Sequence, residues 1–175
     1  MRILVAVATR HGATREIAEQ IAATAAAALA ETGVAAEVGV VDAGHVTSFA
    51  GYDAVVLGSA VYFGQWLESA RRLAHEHREE LRRVPVWLFS SGPVGHIAGE
   101  DPVDVSDVVA ASGAREHRLF GGRVERANLR FTDRAVVVAL RVQDGDNRDW
   151  PMIRAWARAI ASELAVVPSG QESRR

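Results

Sequence analysis

A short polar turn, Thr9 to Thr14, separates an apolar run from a long helical pattern. It offers two hydroxyls, a glycine and the free N–H groups of a helix start at one point, which suits an anion. Because the chain has neither Gly-Lys-Ser/Thr nor Gly-x-Gly-x-x-Gly there, the pattern favours a monophosphate over a triphosphate or a pyrophosphate. The alternative is that Thr9 and Thr14 only cap the helix and Gly12 eases the bend.

Two further loops follow apolar runs, at Ser59–Trp66 and Ser90–His96. Open α/β sheets bind ligands beyond the carboxyl ends of their strands, so all three loops are expected at one edge. Aromatic side chains and exposed N–H groups of the two later loops can enclose a flat heteroaromatic ring. A ring with one phosphate describes FMN. For Tyr62, Phe63 and Trp66 the alternative is ordinary packing, and for the serines it is turn formation.

Other reactive side chains give no comparable pattern. His75 and His77 are two residues apart on a predicted helix, so they do not share a face and do not predict a metal site. The chain has no cysteine, which excludes a thiolate nucleophile and a cysteine zinc site and fits a reducing compartment. No Ser/His/Asp order or carboxylate pair indicates a hydrolytic site, and we predict no catalytic side chain.

Buried runs alternate with amphipathic patterns, which predicts parallel βαβ units with helices on both faces of a sheet. The predicted strands cover residues 3–8, 36–41, 52–59, 86–89 and 115–120, and the last of them is polar enough for an edge. The predicted helices cover residues 13–31, 65–83 and 101–112, and a last helix is opened by Asp149-Trp150-Pro151. Residues 134–142 have strand propensity, and only the resemblance described below makes us predict a helix there.

The totals describe an ordinary globular chain. Its 175 residues suit a single domain, predicted at 1–167, with a disordered tail at 168–175. A net charge of -2, with arginines interleaved with glutamates, argues against nucleic acid as a partner. No apolar run reaches the roughly 20 residues of a transmembrane segment, and the first run does not look like a signal peptide. We therefore expect a cytoplasmic protein, with peripheral membrane attachment left open.

Several motifs together resemble the flavodoxin superfamily: the Thr-Arg-x-Gly-x-Thr loop between strand and helix, Gly58-Ser59 with Tyr62-Phe63-Gly64, and Ser90-Ser91-Gly92. Others are more similar to the flavodoxin-domain proteins related to menaquinone-dependent protoporphyrinogen oxidase: residues 9–18, Phe120-Gly121-Gly122, and Arg148-Asp149-Trp150 followed by Ile153 and Trp156-Ala157. The likeness runs from the first residue almost to the tail.

This resemblance implies a three-layer α/β/α flavodoxin-like fold with a doubly wound, five-stranded parallel sheet. It also implies bound FMN, with the redox chemistry performed by the flavin. Carried over position by position, the phosphate is held by Thr9, Arg10, His11, Gly12, Ala13 and Thr14. The ring is lined by Ser59, Ala60, Val61, Tyr62, Phe63 and Gly64 from one loop and by Ser90, Ser91, Gly92 and Pro93 from the other.

Departures from the family pattern leave the substrate open. Ala13 stands where common flavodoxins have asparagine, and the chain lacks their strongly acidic surface. Residues 92–103 are short and not basic, where protoporphyrinogen oxidases of this family carry a longer basic insertion. Three functions remain: an oxidoreductase acting on a porphyrinogen with a quinone, an electron carrier for a redox protein, and a flavin-free interaction domain. A homodimer is also left open.

Overall fold

The computed structural model describes residues 1–92, 103–124 and 145–166. Its strands are β1 (Arg2–Ala8), β2 (Glu37–Asp42), β3 (Ala54–Tyr62), β4 (Gln65–Trp66), β5 (Val86–Gly92), β6 (Glu116–Gly121), β7 (Arg123–Val124) and β8 (Gly145–Asp146). Its helices are α1 (Ala13–Glu31), α2 (Glu68–Glu76), α3 (Arg78–Leu81), α4 (Ser106–Ser112) and α5 (Trp150–Val166), with a 3-10 turn at Ala43–His45. None of these helices is long and apolar enough to cross a membrane.

Five parallel strands form the sheet in the order β2-β1-β3-β5-β6, and the short β4 adds to β3 in the antiparallel sense. Along the chain, β2 is added on one side of β1 and β3 on the other, which is the reversal of strand order found in a doubly wound sheet. The polar strand β6 lies at an edge, as predicted. The carboxyl ends of β1, β3 and β5 are therefore neighbours.

Helices cover both faces of the sheet, each over its own apolar cluster. On one face Ile21 of α1 and Trp156 of α5 pack with Phe89 of β5. On the other face Leu73 of α2 and Val108 of α4 pack with strand and loop residues that include Leu57. Strands buried on both sides need continuous apolar runs, which explains why their sequences do not alternate.

Two strands run further than the sequence pattern predicts. The strand predicted at 52–59 is β3 at Ala54–Tyr62, and the strand predicted at 86–89 is β5 at Val86–Gly92. The pairing continues through Ser59 with Ser90 and Ala60 with Ser91. The small and polar residues that looked like strand ends thus lie inside the sheet, where neighbouring backbones pair and the side chains are buried.

The prediction of one long helix over residues 65–83 is wrong. The first residues of that range form β4, and the rest divides into α2 and α3, since the chain leaves the helical conformation at His77. The helix predicted at 101–112 begins only at Ser106, whose N–H and hydroxyl both donate to the Asp104 carboxylate, at 3.0 and 2.7 Å. The start of α5 is as expected, because Asp149 Oδ1 accepts the N–H of Met152 at 2.9 Å. Residues 134–142 and the tail at 168–175 lie outside the described residues.

Glu80 joins the end of α3 to the loop that precedes β3. Its carboxylate pairs with His77 Nδ1 at 2.9 Å and accepts from the Ser48 hydroxyl at 2.7 Å and the Phe49 N–H at 2.6 Å. These bonds, that with His77 foremost, lower the pKa of Glu80 from 4.5 to about 2. The charged form is therefore favoured in the folded protein. Its stabilising effect is fully present above pH 4.5 and is lost as the pH falls towards 2.

We expect Glu80→Gln to lower the free energy of unfolding at pH 7 by about 1 kcal/mol, because charge-assisted bonds to three donors are weakened. Urea denaturation at pH 7 and pH 3 measures the effect, and the difference from wild type should shrink at pH 3. Glu79→Gln is the matched control. The Glu79 side chain is 73% exposed, and its carboxylate lies 3.7 Å from Arg78 Nε, too far for a hydrogen bond. A loss at Glu80 that is equal at both pH values would contradict the pKa argument.

Candidate functional site

The carboxyl ends of three adjacent strands bring the predicted loops together. Ala8 of β1 lies beside Ser59 of β3, and Ser59 lies beside Ser90 of β5. The polar turn after β1, the chain after β3 and the end of β5 therefore share one edge of the sheet. The predicted contact residue Pro93 lies outside the described residues.

The turn after β1 is shaped by Gly12 and Thr9. Gly12 has a φ of 85°, a left-handed conformation that favours glycine, and its N–H donates to Thr9 Oγ1 at 3.1 Å. The first helical bond of α1 runs from Glu16 N–H to Gly12 O at 3.0 Å. The N–H groups of Ala13 and Thr14 come before it and have no acceptor inside the helix. They supply the partial positive charge that an anion needs.

Thr14 provides the clearest sign of a ligand. Only 3% of the residue is exposed, and its hydroxyl makes no hydrogen bond to any residue that the structure describes. A buried polar group without a partner is costly, and such groups usually pair with a ligand or water. This hydroxyl belongs to the first turn of α1, so the residues present fit a phosphate there.

The chain after β3 forms a tight hairpin. Val61 pairs with Trp66 and Tyr62 with Gln65, which leaves Phe63 and Gly64 as a two-residue loop. Both loop residues have positive φ, 52° and 73°, as in a type I′ turn. Such a conformation costs a phenylalanine roughly 1 kcal/mol, and 74% of this residue is exposed. A strained, exposed aromatic residue at the carboxyl edge of the sheet is a candidate for binding.

Arg10 connects this hairpin to the polar turn. Its guanidinium carbon lies 4.6 Å from the centre of the Tyr62 ring, within the range of a cation–π contact. Tyr62 is half-buried in this position and His11 is half-buried in the turn. Of the predicted aromatic residues, Phe63 is thus more accessible than Tyr62, whereas Trp66 is buried.

Two of the predicted serines, Ser59 and Ser90, use their hydroxyls for hydrogen bonds within the protein. The fully buried Ser59 hydroxyl donates to Ala60 O at 2.8 Å and accepts the Leu67 N–H at 3.0 Å. Ser90 Oγ accepts the Trp66 indole N–H at 2.7 Å. These bonds hold the hairpin onto the sheet. Ser91, Ala60 and Val61 are also buried, so strand residues can reach a ligand mainly through their backbones, while Gly92 is half-buried at the strand end.

His117 completes a polar chain that sequence reasoning missed. Its Nε2 lies 2.8 Å from Ser90 Oγ, and its ring meets the Trp66 ring edge-on at 6.4 Å between centroids. Burial lowers the pKa of His117, so the neutral imidazole is favoured. With Nε2 unprotonated, Ser90 accepts from Trp66 and donates to His117. The polarity of β6 predicted an edge strand, but no local pattern linked His117 to a residue 27 positions away.

Arg148 is an almost buried cation beside the polar turn, with 8% of the residue exposed. Its guanidinium donates to Asp146 through Nε at 2.7 Å and to Glu16 through Nη1 at 2.7 Å. The same Nη1 lies 3.4 Å from Ala13 O, inside the turn. Its guanidinium carbon is 4.5 Å from the Trp150 ring centre. Hydrogen bonding to Arg148 is the largest cause of the lowered pKa of both Glu16 and Asp146.

A second arginine and two glycines complete this arrangement. Arg123 of β7 donates to both oxygens of Glu16, at 3.1 and 2.8 Å. A Cβ on Gly121 would lie 2.0 Å from Asn147 O, and one on Gly122 would lie 2.6 Å from Gly92 O. Close backbone packing at the end of β6 therefore brings β7 and β8 against the start of α1. We call Glu16, Arg123, Asp146 and Arg148 the Arg148 cluster.

The remaining histidines on helices pair with single carboxylates. His75 Nε2 lies 3.2 Å from Asp107 Oδ2, and His77 pairs with Glu80. Within the described ranges, no group of three or more His, Cys, Asp or Glu residues could hold a metal ion.

Comparison with known proteins agrees with this fold. A family model of the flavodoxin domain matches residues 4–150. Protoporphyrinogen IX dehydrogenase (quinone) of Escherichia coli K12 is 25% identical over 176 residues, which cover 92% of this chain and 95% of that protein.

Solved structures show the same architecture. Flavodoxin 2 from Bacillus cereus superimposes with a TM-score of 0.58 at 19% identity, covering 93% of this chain and 99% of that one. The rubredoxin oxygen:oxidoreductase of Desulfovibrio gigas superimposes with a TM-score of 0.59 at 12% identity, but only 36% of that chain is covered. The chain thus spans about a third of that protein. The predicted flavodoxin-like α/β fold is confirmed.

Proposed function

The chain belongs to the flavodoxin domain family, and from its site we propose that it is an FMN-dependent oxidoreductase similar to protoporphyrinogen dehydrogenase. Family and fold support flavin-based redox chemistry. The finer assignment, FMN and a porphyrinogen substrate, is the proposal.

The Thr14 hydroxyl, buried and without a hydrogen bond to the described residues, is the observation that carries the cofactor assignment. With the N–H groups of the first turn of α1, it forms a donor set that one phosphate group can satisfy. Thr9 is engaged with Gly12 N–H, so it shapes the turn, and Arg10 and His11 add cationic or polar groups at its rim. A nucleoside triphosphate would need a lysine that this turn lacks.

The flavin ring is then expected beside the hairpin and the end of β5. Phe63, held at the hairpin tip, would cover one face of the ring by stacking. The backbones of residues 59–64 and 90–92 would meet its polar edge. The flavin, when bound, supplies the electron transfer, while the residues of this chain bind it, orient it and exclude water from one face.

The substrate proposal comes from the relative that matches along nearly its whole length. That protein dehydrogenates protoporphyrinogen IX with a quinone, as its name states, and this chain covers 95% of it. We extend the reaction class to this chain: a porphyrinogen is oxidised, and its electrons pass through the flavin to a quinone. A cytoplasmic protein visiting the membrane surface would meet both reactants.

A turnover assay tests both levels of the proposal. The protein is loaded with FMN, separated from free flavin, and mixed without oxygen with protoporphyrinogen IX and a water-soluble quinone. We expect porphyrin fluorescence to rise only when both protein and quinone are present, faster than with free FMN at the same concentration. Retained FMN without such turnover would contradict the substrate and favour an electron carrier. A protein that retains no FMN would contradict the cofactor and favour an interaction domain.

A further inference from the structure

The Arg148 cluster places an acidic residue where the proposed ligand is anionic. Glu16 lies in the first turn of α1, two residues after Thr14, and its side chain is 42% exposed. Groups within one helical turn are about 5–10 Å apart, a range over which charges interact in a partly buried site. An unneutralised carboxylate there would oppose a phosphate dianion.

Two arginines neutralise that carboxylate, and they differ in burial. The side chain of Arg148 is only 3% exposed and that of Arg123 is 27% exposed. Arg148 also donates to Asp146 and approaches Ala13 O, so contacts with Glu16, Asp146 and Ala13 fix the position of its guanidinium. Counted over these four described residues, the cluster has two positive and two negative charges.

Loss of Arg148 would upset this balance strongly. Arg148 donates to both Asp146 and Glu16, so its removal would leave Glu16 with Arg123 alone and would give the four-residue cluster one net negative charge beside the turn. Loss of an ordinary packing residue would disturb phosphate-bearing and phosphate-free ligands alike. Loss of a neutralising charge would disturb only the anionic ligand.

We propose that Arg148 is a specificity-determining positioning residue: by neutralising Glu16 at the start of α1, it allows this site to accept a phosphorylated flavin. This inference rests on the proposed function. Arg148 acts through Glu16 and is not assigned a contact with the ligand.

FMN and riboflavin form the decisive pair of probes, since they share a ring and differ in the phosphate. We expect Arg148→Met to weaken FMN binding about tenfold, as for unit charges roughly 10 Å apart in a partly buried site, and to leave riboflavin within about twofold. In the double variant Glu16→Gln/Arg148→Met, FMN affinity should return to within about threefold of wild type, because the opposing carboxylate is gone.

Fluorescence titration of flavin-free protein measures all of these affinities. Arg158→Met is the matched control: Arg158, in the middle of α5, pairs with Glu31 at the far end of α1 at 3.1 Å, and both side chains are exposed. It should change neither affinity. Glu16→Gln alone should bind FMN as tightly as wild type or more tightly, and this variant decides the matter if Arg148→Met does not fold.

Three results would overturn the inference. They are an equal loss of FMN and riboflavin affinity in Arg148→Met, a double variant no better than the single one, and weaker FMN binding by Glu16→Gln. If wild type binds FMN, these results count against the role of Arg148 alone. Wild type that binds neither flavin would overturn the proposed function and this inference with it.

Discussion

Replacing Thr14 with valine should weaken FMN binding by about 2 kcal/mol, roughly 30-fold, and at the same time stabilise the flavin-free protein by about 1 kcal/mol. The hydroxyl is buried and makes no hydrogen bond to the described residues, so valine removes a polar group that costs energy without ligand. With FMN bound, the same hydroxyl would donate to a charged phosphate oxygen, and that bond would be lost. Flavin titration and urea denaturation of the flavin-free protein measure the two effects.

Thr24→Val is the control for this prediction. Thr24 lies on the same helix with 7% of the residue exposed, but its hydroxyl accepts from Gln20 Nε2 at 3.0 Å. We expect slightly lower stability and unchanged FMN affinity. If Thr14→Val lowered stability in the same way, the hydroxyl would have a partner in the ligand-free protein. If it left FMN affinity unchanged, the phosphate would bind elsewhere.

Gly58→Ala should destabilise the protein by about 3 kcal/mol. A Cβ at Gly58 would lie 2.0 Å from Cε1 and 2.1 Å from Cζ of Phe89. That ring is fully buried and packs against Trp156 and Phe120, with centroids 6.3 and 6.1 Å away. It has no room to withdraw, so β3 or β5 must shift, and both strands lead to the candidate site.

The matched control for that substitution is Gly39→Ala, also in a strand of the sheet. A Cβ on Gly39 of β2 would meet nothing within 4 Å. The free energy of unfolding of the Gly39→Ala variant should stay within about 0.5 kcal/mol of wild type. Thermal and urea denaturation measure both variants. A loss below about 1 kcal/mol for Gly58→Ala would show that the Phe89 ring moves aside easily.

Local pattern was sufficient for the layers and for most element positions. Continuous apolar runs predicted buried parallel strands, and Asp149-Trp150-Pro151 predicted the start of α5, where the Asp149 carboxylate does accept an N–H. Both signals are local, since the run or the cap residue itself causes the structure. The turn at Thr9–Thr14 was visible for the same reason.

Features that depend on distant partners were not visible. Gly58 and Ser59 looked like the end of a strand, but Gly58 is small because the Phe89 ring lies against it, 31 positions away along the chain. Arg148 stood out only as part of a motif, since its partner Glu16 is 132 positions away. The hairpin at Phe63-Gly64 was missed because it lacks the Asn-Gly or Asp-Gly pair that usually marks such a turn.

The visible absorption spectrum of the purified protein, recorded after FMN has been added and the excess dialysed away, tests the central claim most directly. We predict flavin bands that remain after dialysis, with about one flavin per chain. A protein that stays colourless would contradict the assignment of the Thr14 turn and the Phe63 hairpin to a flavin.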